Sequence, residues 1–163
     1  CKASGQPFVF PGSSAQWHGL SDVTDAGQIA RHLAWAADSP CARNEDFNIV
    51  NGDVFRWKWL WPRLAAYFGV AAADMPETMA PLADRMQDAP AQWRAIAEQH
   101  QLVEPDIGRL ASWWHTDADL GRPMEVMTDM GKSRKAGFLD YQETPEAFFN
   151  LFEKLKAQRI IPR

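Results

Sequence analysis

Residues 44–69 read NEDFNIVNGDVFRWKWLWPRLAAYFG: a short apolar run, a turn, and then a long amphipathic stretch. Asp46 to Val50 is a strand candidate, because its apolar residues are few and bounded by polar ones. Asn51-Gly52 follows, a dipeptide that tolerates positive φ and so predicts a tight turn. The period then changes. Trp57, Leu60, Trp61, Leu64, Ala65 and Phe68 recur at the spacing that lines one face of a helix, and Gly69 supplies its stop. Pro62 falls near the first turns of that helix, where a missing N–H costs less than in the middle, although a kink there is open.

Working outward, Gln6 to Gly12 reads as a short strand closed by a Pro-Gly turn. Asp25-Ala26-Gly27-Gln28 has the form of a capping box, with Gln28 expected to reach back to the Asp25 amide. Behind it Ile29, Ala30, Leu33, Ala34 and Ala37 recur at helical spacing and predict a helix to about Ala37, ended by Ser39-Pro40. Residues 74–79 read as a loop. Prolines open two further helices, Pro81 to Gln87 and Pro90 to His100, and Pro105 opens another with Ile107, Leu110, Ala111 and Trp114 on one face. Val126 to Thr128 reads as a short strand, and Lys132 to Ala136 as a helical turn ending at Gly137. Thr144 as N-cap and Pro145 at the first position begin the last helix, with Phe148, Phe152 and Leu155 inward. The fold class is therefore α+β and mostly helical, without repeats or a low-complexity linker.

Composition narrows the function. The chain has 163 residues, 46% hydrophobic and 23% charged, a globular profile with room for one core. Its 17 Lys and Arg against 21 Asp and Glu leave a net charge of −4, so the basic footprint expected of a nucleic-acid binder is missing. The longest apolar stretch, Leu64 to Ala73, falls well short of the roughly 18 residues that cross a bilayer, and no membrane partner is expected. Cys1 and Cys41 have neither a CxxC spacing nor a His at ligand spacing, which argues against a disulfide framework or zinc and for a reducing, cytoplasmic setting. Cys1 in place of Met implies cutting or trimming before it. A lipid-anchored periplasmic protein beginning at that cysteine is the alternative.

The common phosphate, zinc and acyl-transfer signatures are absent: there is no Gly-x-Gly-x-x-Gly, Walker loop, HExxH or Gly-x-Ser-x-Gly. His18, His32, His100 and His115 are scattered, so a metal site is not expected. The eight tryptophans divide. Trp57, Trp61, Trp93 and Trp114 fall on core-facing stripes, whereas Trp17, Trp35, Trp59 and Trp113 lie off them and suit a surface pocket, a partner face or a stacking platform for sugars. Residues 113–121 gather aromatic, imidazole and carboxylate groups, and on a helix His115, Ala118 and Asp119 share one face. A capped helix end with a solvated carboxylate is the plainer reading of the same residues. Met130 to Lys135 reads either as a phosphate-holding basic cluster or, more simply, as a solvated face.

Three stretches carry a resemblance: Ser21-Asp22-Val23-Thr24-Asp25-Ala26, Asn44 to Lys58 with its NGDVFRWKWLW phrase (the phrase itself running on to Trp61), and Lys132-Ser133-Arg134-Lys135-Ala136-Gly137-Phe138. Together they resemble the C-terminal half of extended short-chain dehydrogenase/reductases, nearest to the progesterone 5β-reductase and iridoid synthase group and its NAD-dependent epimerase/dehydratase relatives. The resemblance implies that residues 1–163 are one C-terminal substrate-binding region of a Rossmann-type α/β oxidoreductase. The N-terminal Rossmann half would hold NADP or NAD and the catalytic Tyr and Lys, and hydride would pass to the β-carbon of an enone or to another carbonyl compound. No Tyr-x-x-x-Lys occurs here, since Ala71 and Pro145 stand four residues after Tyr67 and Tyr141, so the fragment alone is not expected to be catalytic or to hold the cofactor. By the same resemblance Ser21 stands beside the substrate, His115 replaces a pocket Phe, and Ala118 and Asp119 continue that wall. The polar replacements imply a smaller or more polar carbonyl substrate. Asp46 to Val50 would be an edge strand of the Rossmann sheet. The implied partners are that small molecule and the N-terminal half; a homodimer is compatible, and a Trp-rich carbohydrate-binding module is the other alternative.

Overall fold

The computed structural model describes residues 1–2, 5–78 and 80–163, so Met79 at the end of the expected loop lies outside the described residues. Its helices are α1 (Ser14–His18), α2 (Ala26–Asp38), α3 (Trp57–Tyr67), α4 (Leu82–Arg85), α5 (Ala89–His100), α6 (Trp113–Leu120), α7 (Gly131–Lys135) and α8 (Thr144–Ala157), with single 3-10 turns at Pro40–Ala42 and Ile107–Arg109. The tryptophan stripe forms α3 as its spacing requires. Trp57, Leu60, Trp61, Leu64 and Ala65 are buried, and Gly69 takes the left-handed conformation, φ +64°, just past the helix end. Phe10, wholly buried, packs its ring within 5.1 to 5.6 Å of Trp17, Trp57 and Trp61. Phe8 stacks on Trp61 at 4.0 Å while its carbonyl accepts the Trp61 indole N–H at 2.9 Å. Phe148, Phe149 and Phe152 of α8 close the cluster from the other side. Aromatics dominate this core because each ring removes so much apolar area from water, and each indole N–H needs a partner.

The Asn51-Gly52-Asp53 segment does more than turn the chain. Gly52 does adopt φ +110°, but the fully buried Asn51 is a junction. Its Oδ1 accepts the Asp25 N–H at 2.7 Å, and its Nδ2 donates to Thr144 Oγ1 at 3.1 Å. Its backbone N–H donates to the Val23 carbonyl and its own carbonyl accepts from the Gln142 N–H, both at 2.9 Å. Asp53 then accepts both the Thr144 N–H at 2.8 Å and the Thr144 hydroxyl at 2.6 Å. Thr144 is therefore the first residue of α8 and not its cap; the cap comes from Asp53, ninety-one residues earlier in the chain.

Several expectations are corrected. Among the described residues no strand ladder forms, only the isolated bridges Phe8–Ala72 and Ser21–Phe55. An extended segment becomes a strand only when a neighbour exchanges hydrogen bonds with it; residues 46–50 find no such neighbour among the described residues, and 126–128 have a single backbone bond, from the Val126 N–H to the Leu20 carbonyl, which makes no ladder. Side chains hold the first of these instead: the Ile49 carbonyl accepts from Thr24 Oγ1, the Asn48 carbonyl from Ser133 Oγ, and the Val50 N–H points at Met130 Sδ. The helix expected after Pro105 breaks into the 3-10 turn and α6, leaving Leu110 at 39% and Trp114 at 70% exposure. Trp17 is buried, Trp93 and Phe68 are half-buried, and α4 is shorter than its expected span. With Trp17, Trp57 and Trp61 in one core, the tryptophan count no longer favours a sugar-stacking module. Lys132 in α7 pairs with Glu45 at 2.8 Å and Asp46 at 3.5 Å, which favours the solvated-face reading of the basic cluster.

Helix α2 departs most from its sequence pattern. Asp25 caps it through the Gly27 and Gln28 amides, but Gln28 does not reach back; it donates to the Asp140 carbonyl at 3.0 Å and accepts from Arg31. Gln28 and His32 face inward, while Ile29 and Leu33 face out. His32 lies among the rings of Trp35, Phe47 and Phe138, centroids 4.6 to 5.7 Å away, and its Nε2 has no hydrogen-bond partner among the described residues.

Two outcomes follow for stability. Asn51→Ala leaves the Asp25 N–H without its acceptor and takes one donor from the Thr144 hydroxyl, which keeps its bond to Asp53, and a loss of about 2–4 kcal/mol is expected from one orphaned group and one lost buried hydrogen bond. For a domain of this size that lowers the thermal midpoint by about 5–15 °C; a scan in which the midpoint moves by less than a degree would show the junction to be dispensable. Burial holds the His32 imidazole below its ordinary pKa of 6.5. Because the unfolded chain takes up the proton more readily, this contribution to stability is complete above 6.5 and declines as pH falls from there through the folded-state value. His32→Phe should flatten that part of a urea-denaturation pH profile, and an unchanged slope would contradict the assignment.

Candidate functional site

The candidate wall is built on α1, a five-residue helix begun by Ser13, whose Oγ accepts the Gln16 N–H at 3.1 Å. From α1 three bonds reach the segment that leaves α6. The Ser13 N–H donates to the Leu120 carbonyl at 2.8 Å, Ser13 Oγ to the Arg122 carbonyl at 2.6 Å, and Gln16 Nε2 to the Met124 carbonyl. The same Gln16 side chain accepts from Ser21 Oγ at 3.4 Å. One buried amide thus connects the Ser21 side of the wall to the end of the His115 helix.

Ser21 is 4% exposed, its backbone exchanging two 2.9 Å hydrogen bonds with Phe55. Beside it, the Val126 N–H donates to the Leu20 carbonyl, the Leu20 N–H to Glu125 Oε1, and the Thr128 N–H to the Asp22 carboxylate. Residues 124–128 therefore run along Leu20–Asp22 as extended chain, with the Met124 and Met127 side chains exposed. His115 and Asp119 do share a face of α6, as their spacing requires: Nε2 and Oδ2 are 3.3 Å apart, with 64% and 57% of the two side chains exposed. Ala118 is exposed on the same short helix. The imidazole and Ser21 share no hydrogen bond or ion pair; they are related through α1. Asp117, in contrast, is taken up in packing: its two carboxylate oxygens accept the Leu82 and Ala83 amides at 2.8 and 3.2 Å and cap α4.

A cleft of about 300 Å³ between α1 and the α4–α6 pair is lined by Ser13, Met75, Pro81, Asp117 and Gly121. Larger cavities, about 480 and 680 Å³, lie at the far end near α5, α8 and the chain termini, and none of Ser21, His115, Ala118 or Asp119 lines them. Tyr67 and Lys156 line the first and form a polar trio with Glu153. Lys156 Nζ donates to Tyr67 Oη at 2.8 Å and to Glu153 Oε1 at 3.3 Å, and the Tyr67 hydroxyl donates to Glu153. The Tyr67 hydrogen bond is the main cause that holds the Glu153 carboxyl below its usual range and Lys156 above its own. This trio bonds within itself.

The starts of α2 and α8 are not open to the pyrophosphate of a nicotinamide cofactor. A pyrophosphate needs free helix amides behind a glycine-rich turn, whereas the first amides of α2 and α8 are already occupied by the Asp25 and Asp53 carboxylates, whose charge would repel it. No group of His, Cys, Asp and Glu among the described residues is arranged to hold a metal ion, and no described helix is long and apolar enough to cross a membrane.

Sequence reasoning missed Gln16 and Asp53 as organising residues, and placed Thr144 at the start of α8 only as its cap. A signal for the first was present: Ser13 with Gln16 three residues later has the pattern of a capping box. No local pattern announces that Asp53 caps a helix beginning at Thr144.

The chain is 38% identical over 164 residues to an (S)-8-oxocitronellyl enol synthase of Camptotheca acuminata, 39% over 163 residues to another from Nepeta cataria, and 37% over 164 residues to a 3-oxo-Delta(4,5)-steroid 5-beta-reductase of Arabidopsis thaliana. Each alignment covers 99% of this chain but 42% of the relative, so the chain spans well under half the length of these proteins. The model of the PRISE-like Rossmann-fold domain matches residues 1–162, and the chain belongs to that family.

Proposed function

We propose that the longer protein to which this chain corresponds is a nicotinamide-dependent reductase of small carbonyl compounds, enones among them, and that residues 1–163 form its C-terminal substrate-binding region. The observation that carries this reading is the full-length family match together with relatives named as a reductase and as enol synthases. The cofactor belongs to the remaining part of the protein, in keeping with the capped helix ends described above. In this reading Ser21, His115, Ala118 and Asp119 form the substrate wall, with α1 setting its spacing. The His115–Asp119 pair presents a donor and an acceptor at a rim that also carries Trp114, which suits a substrate with a polar group beyond the carbonyl. His115 selects the substrate and does not transfer the reacting proton.

Two measurements test this. In the full-length enzyme, His115→Phe should shift preference toward an apolar enone, while kcat/KM for a polar enone that bonds the imidazole falls about ten- to a hundredfold, the consequence of losing one hydrogen bond worth about 1–3 kcal/mol. A uniform loss of several orders of magnitude for both substrates would make His115 a general acid and overturn the wall assignment. Calorimetric titration of the 163-residue chain with NADPH should show weak binding or none. Tight binding would mean that the cofactor is held here.

A further inference from the structure

The end of the molecule away from the proposed wall has a charge at odds with the chain as a whole. The net charge is −4, with 21 acidic residues, yet among the described residues no Asp or Glu lines any of three cavities, about 480, 680 and 310 Å³, around the last turns of α5 and α8. Lys2, His100, Lys156, Arg159 and Arg163 line them instead. The three share walls: Pro162 and Arg163 face all of them, and Lys156 faces both the 480 and the 310 Å³ spaces. Attraction of cations to a helix C-terminus accounts for Lys156 in the last turn of α8, but Arg163 stands well past Ala157, where that effect has faded. Lys156 is partly neutralised by Glu153; Arg159 and Arg163 have no carboxylate partner among the described residues. Arg159 is also fixed in place. It follows α8 in the left-handed conformation, φ +55°, and its carbonyl accepts the Val103 N–H at 3.0 Å, tying the chain after α8 to the chain after α5.

Beside these cations the 480 Å³ cavity is apolar. Tyr67, Phe68, Val70, Trp93 and Ile161 line it, each half-buried. The polar atoms of its two amphipathic rings are already engaged, the Trp93 indole N–H by the Glu104 carbonyl at 3.0 Å and the Tyr67 hydroxyl by Lys156 and Glu153. What these rings offer the cavity is therefore apolar surface. An apolar chamber of this volume lies within the range of roughly 300–1,000 Å³ that holds small molecules, and like charges gathered at its rim without a counterion are relieved by a bound anion. We propose that this end of the protein binds a small anionic amphiphile, an acid group carried on an apolar body. The body lies in the 480 Å³ cavity against Phe68 and Trp93, and the acid group lies where Lys156, Arg159 and Arg163 line the adjoining 310 Å³ space. A carboxylate and a phosphate monoester share this chemistry. The site is separate from Ser21, His115, Ala118 and Asp119 and does not rest on the functional reading above.

The test is calorimetric titration of the full-length protein with octanoate and octyl phosphate, using octanol and inorganic phosphate as the body and the head alone. At least one amphiphile should bind about tenfold or more tightly than either half-probe, and the tighter of the two identifies the acid group. Its affinity should fall about tenfold in the Arg159→Gln/Arg163→Gln double variant, whose thermal midpoint confirms folding, because two charge contacts at an exposed rim are lost together. The unaltered protein gives a second measurement independent of that variant: raising the salt from about 50 to about 500 mM should weaken binding about threefold or more. The wall variant His115→Phe should bind the amphiphile within about twofold of the unaltered protein. No heat from either amphiphile up to about 1 mM would overturn the proposal. Octanol binding as tightly as both amphiphiles would also overturn it, since the cavity would then take any apolar body. Loss of binding in His115→Phe would place the ligand on the substrate wall and remove the separate site, whereas a failure here leaves the functional reading untouched.

Discussion

The buried carboxamide of Asn51 is the constraint on which the rest of this structure depends. A primary amide has two donor hydrogens and an acceptor oxygen, and in a low-dielectric interior each demands a partner. Here the oxygen fixes the start of α2 through the Asp25 N–H, and the nitrogen fixes the start of α8 through Thr144. Asp53 completes the arrangement by accepting twice from Thr144. Segments distant in sequence are thereby held in one register. Apolar packing, which is non-directional, would not by itself select that register.

Two glutamines extend the same principle. Gln16 and Gln28 each stand three residues after an N-cap, Ser13 and Asp25, where a glutamine could turn back onto its own helix start. Both reach across the fold instead, to the Met124 and Asp140 carbonyls. Both are almost wholly buried, so a local bond would leave the distant carbonyl without that donor. The consequence differs between them. Gln28 anchors α2 to the segment before α8, whereas Gln16 couples Ser21 to the chain leaving α6 and so sets the width of the proposed substrate wall. Of the residues proposed for that wall, Ser21 is buried and His115 is solvated.

Polarity inside α2 and apolarity outside it express the same architecture from the opposite direction. His32 and Gln28 are directed inward because the aromatic box of Trp35, Phe47 and Phe138 and the Asp140 carbonyl are there to receive them. The alanine-rich outer stripe is left exposed among the described residues. Residues 46–50 are extended in form, without a strand alongside among the described residues.

Helical periodicity by itself determined α3, the position of its stop at Gly69, and the burial of Trp57, Leu60, Trp61 and Leu64, because a 3.6-residue repeat and a glycine at the helix end act locally. It also determined that His115, Ala118 and Asp119 share a face, since neighbours at three and four positions on a helix need no tertiary information. Tertiary structure alone decided which face of α2 turns inward, that Trp17 joins the core while Trp114 does not, and that Thr144 is capped by Asp53. It also decided that Ser21 and the His115 helix are tied through Gln16. These depend on partners some 40 to 110 residues away or in another layer, and a local pattern carries no record of which buried group will find which donor. The strands were misjudged for the related reason that extended backbone becomes sheet only through a neighbour, and the composition of residues 46–50 cannot state whether that neighbour lies in the same chain segment.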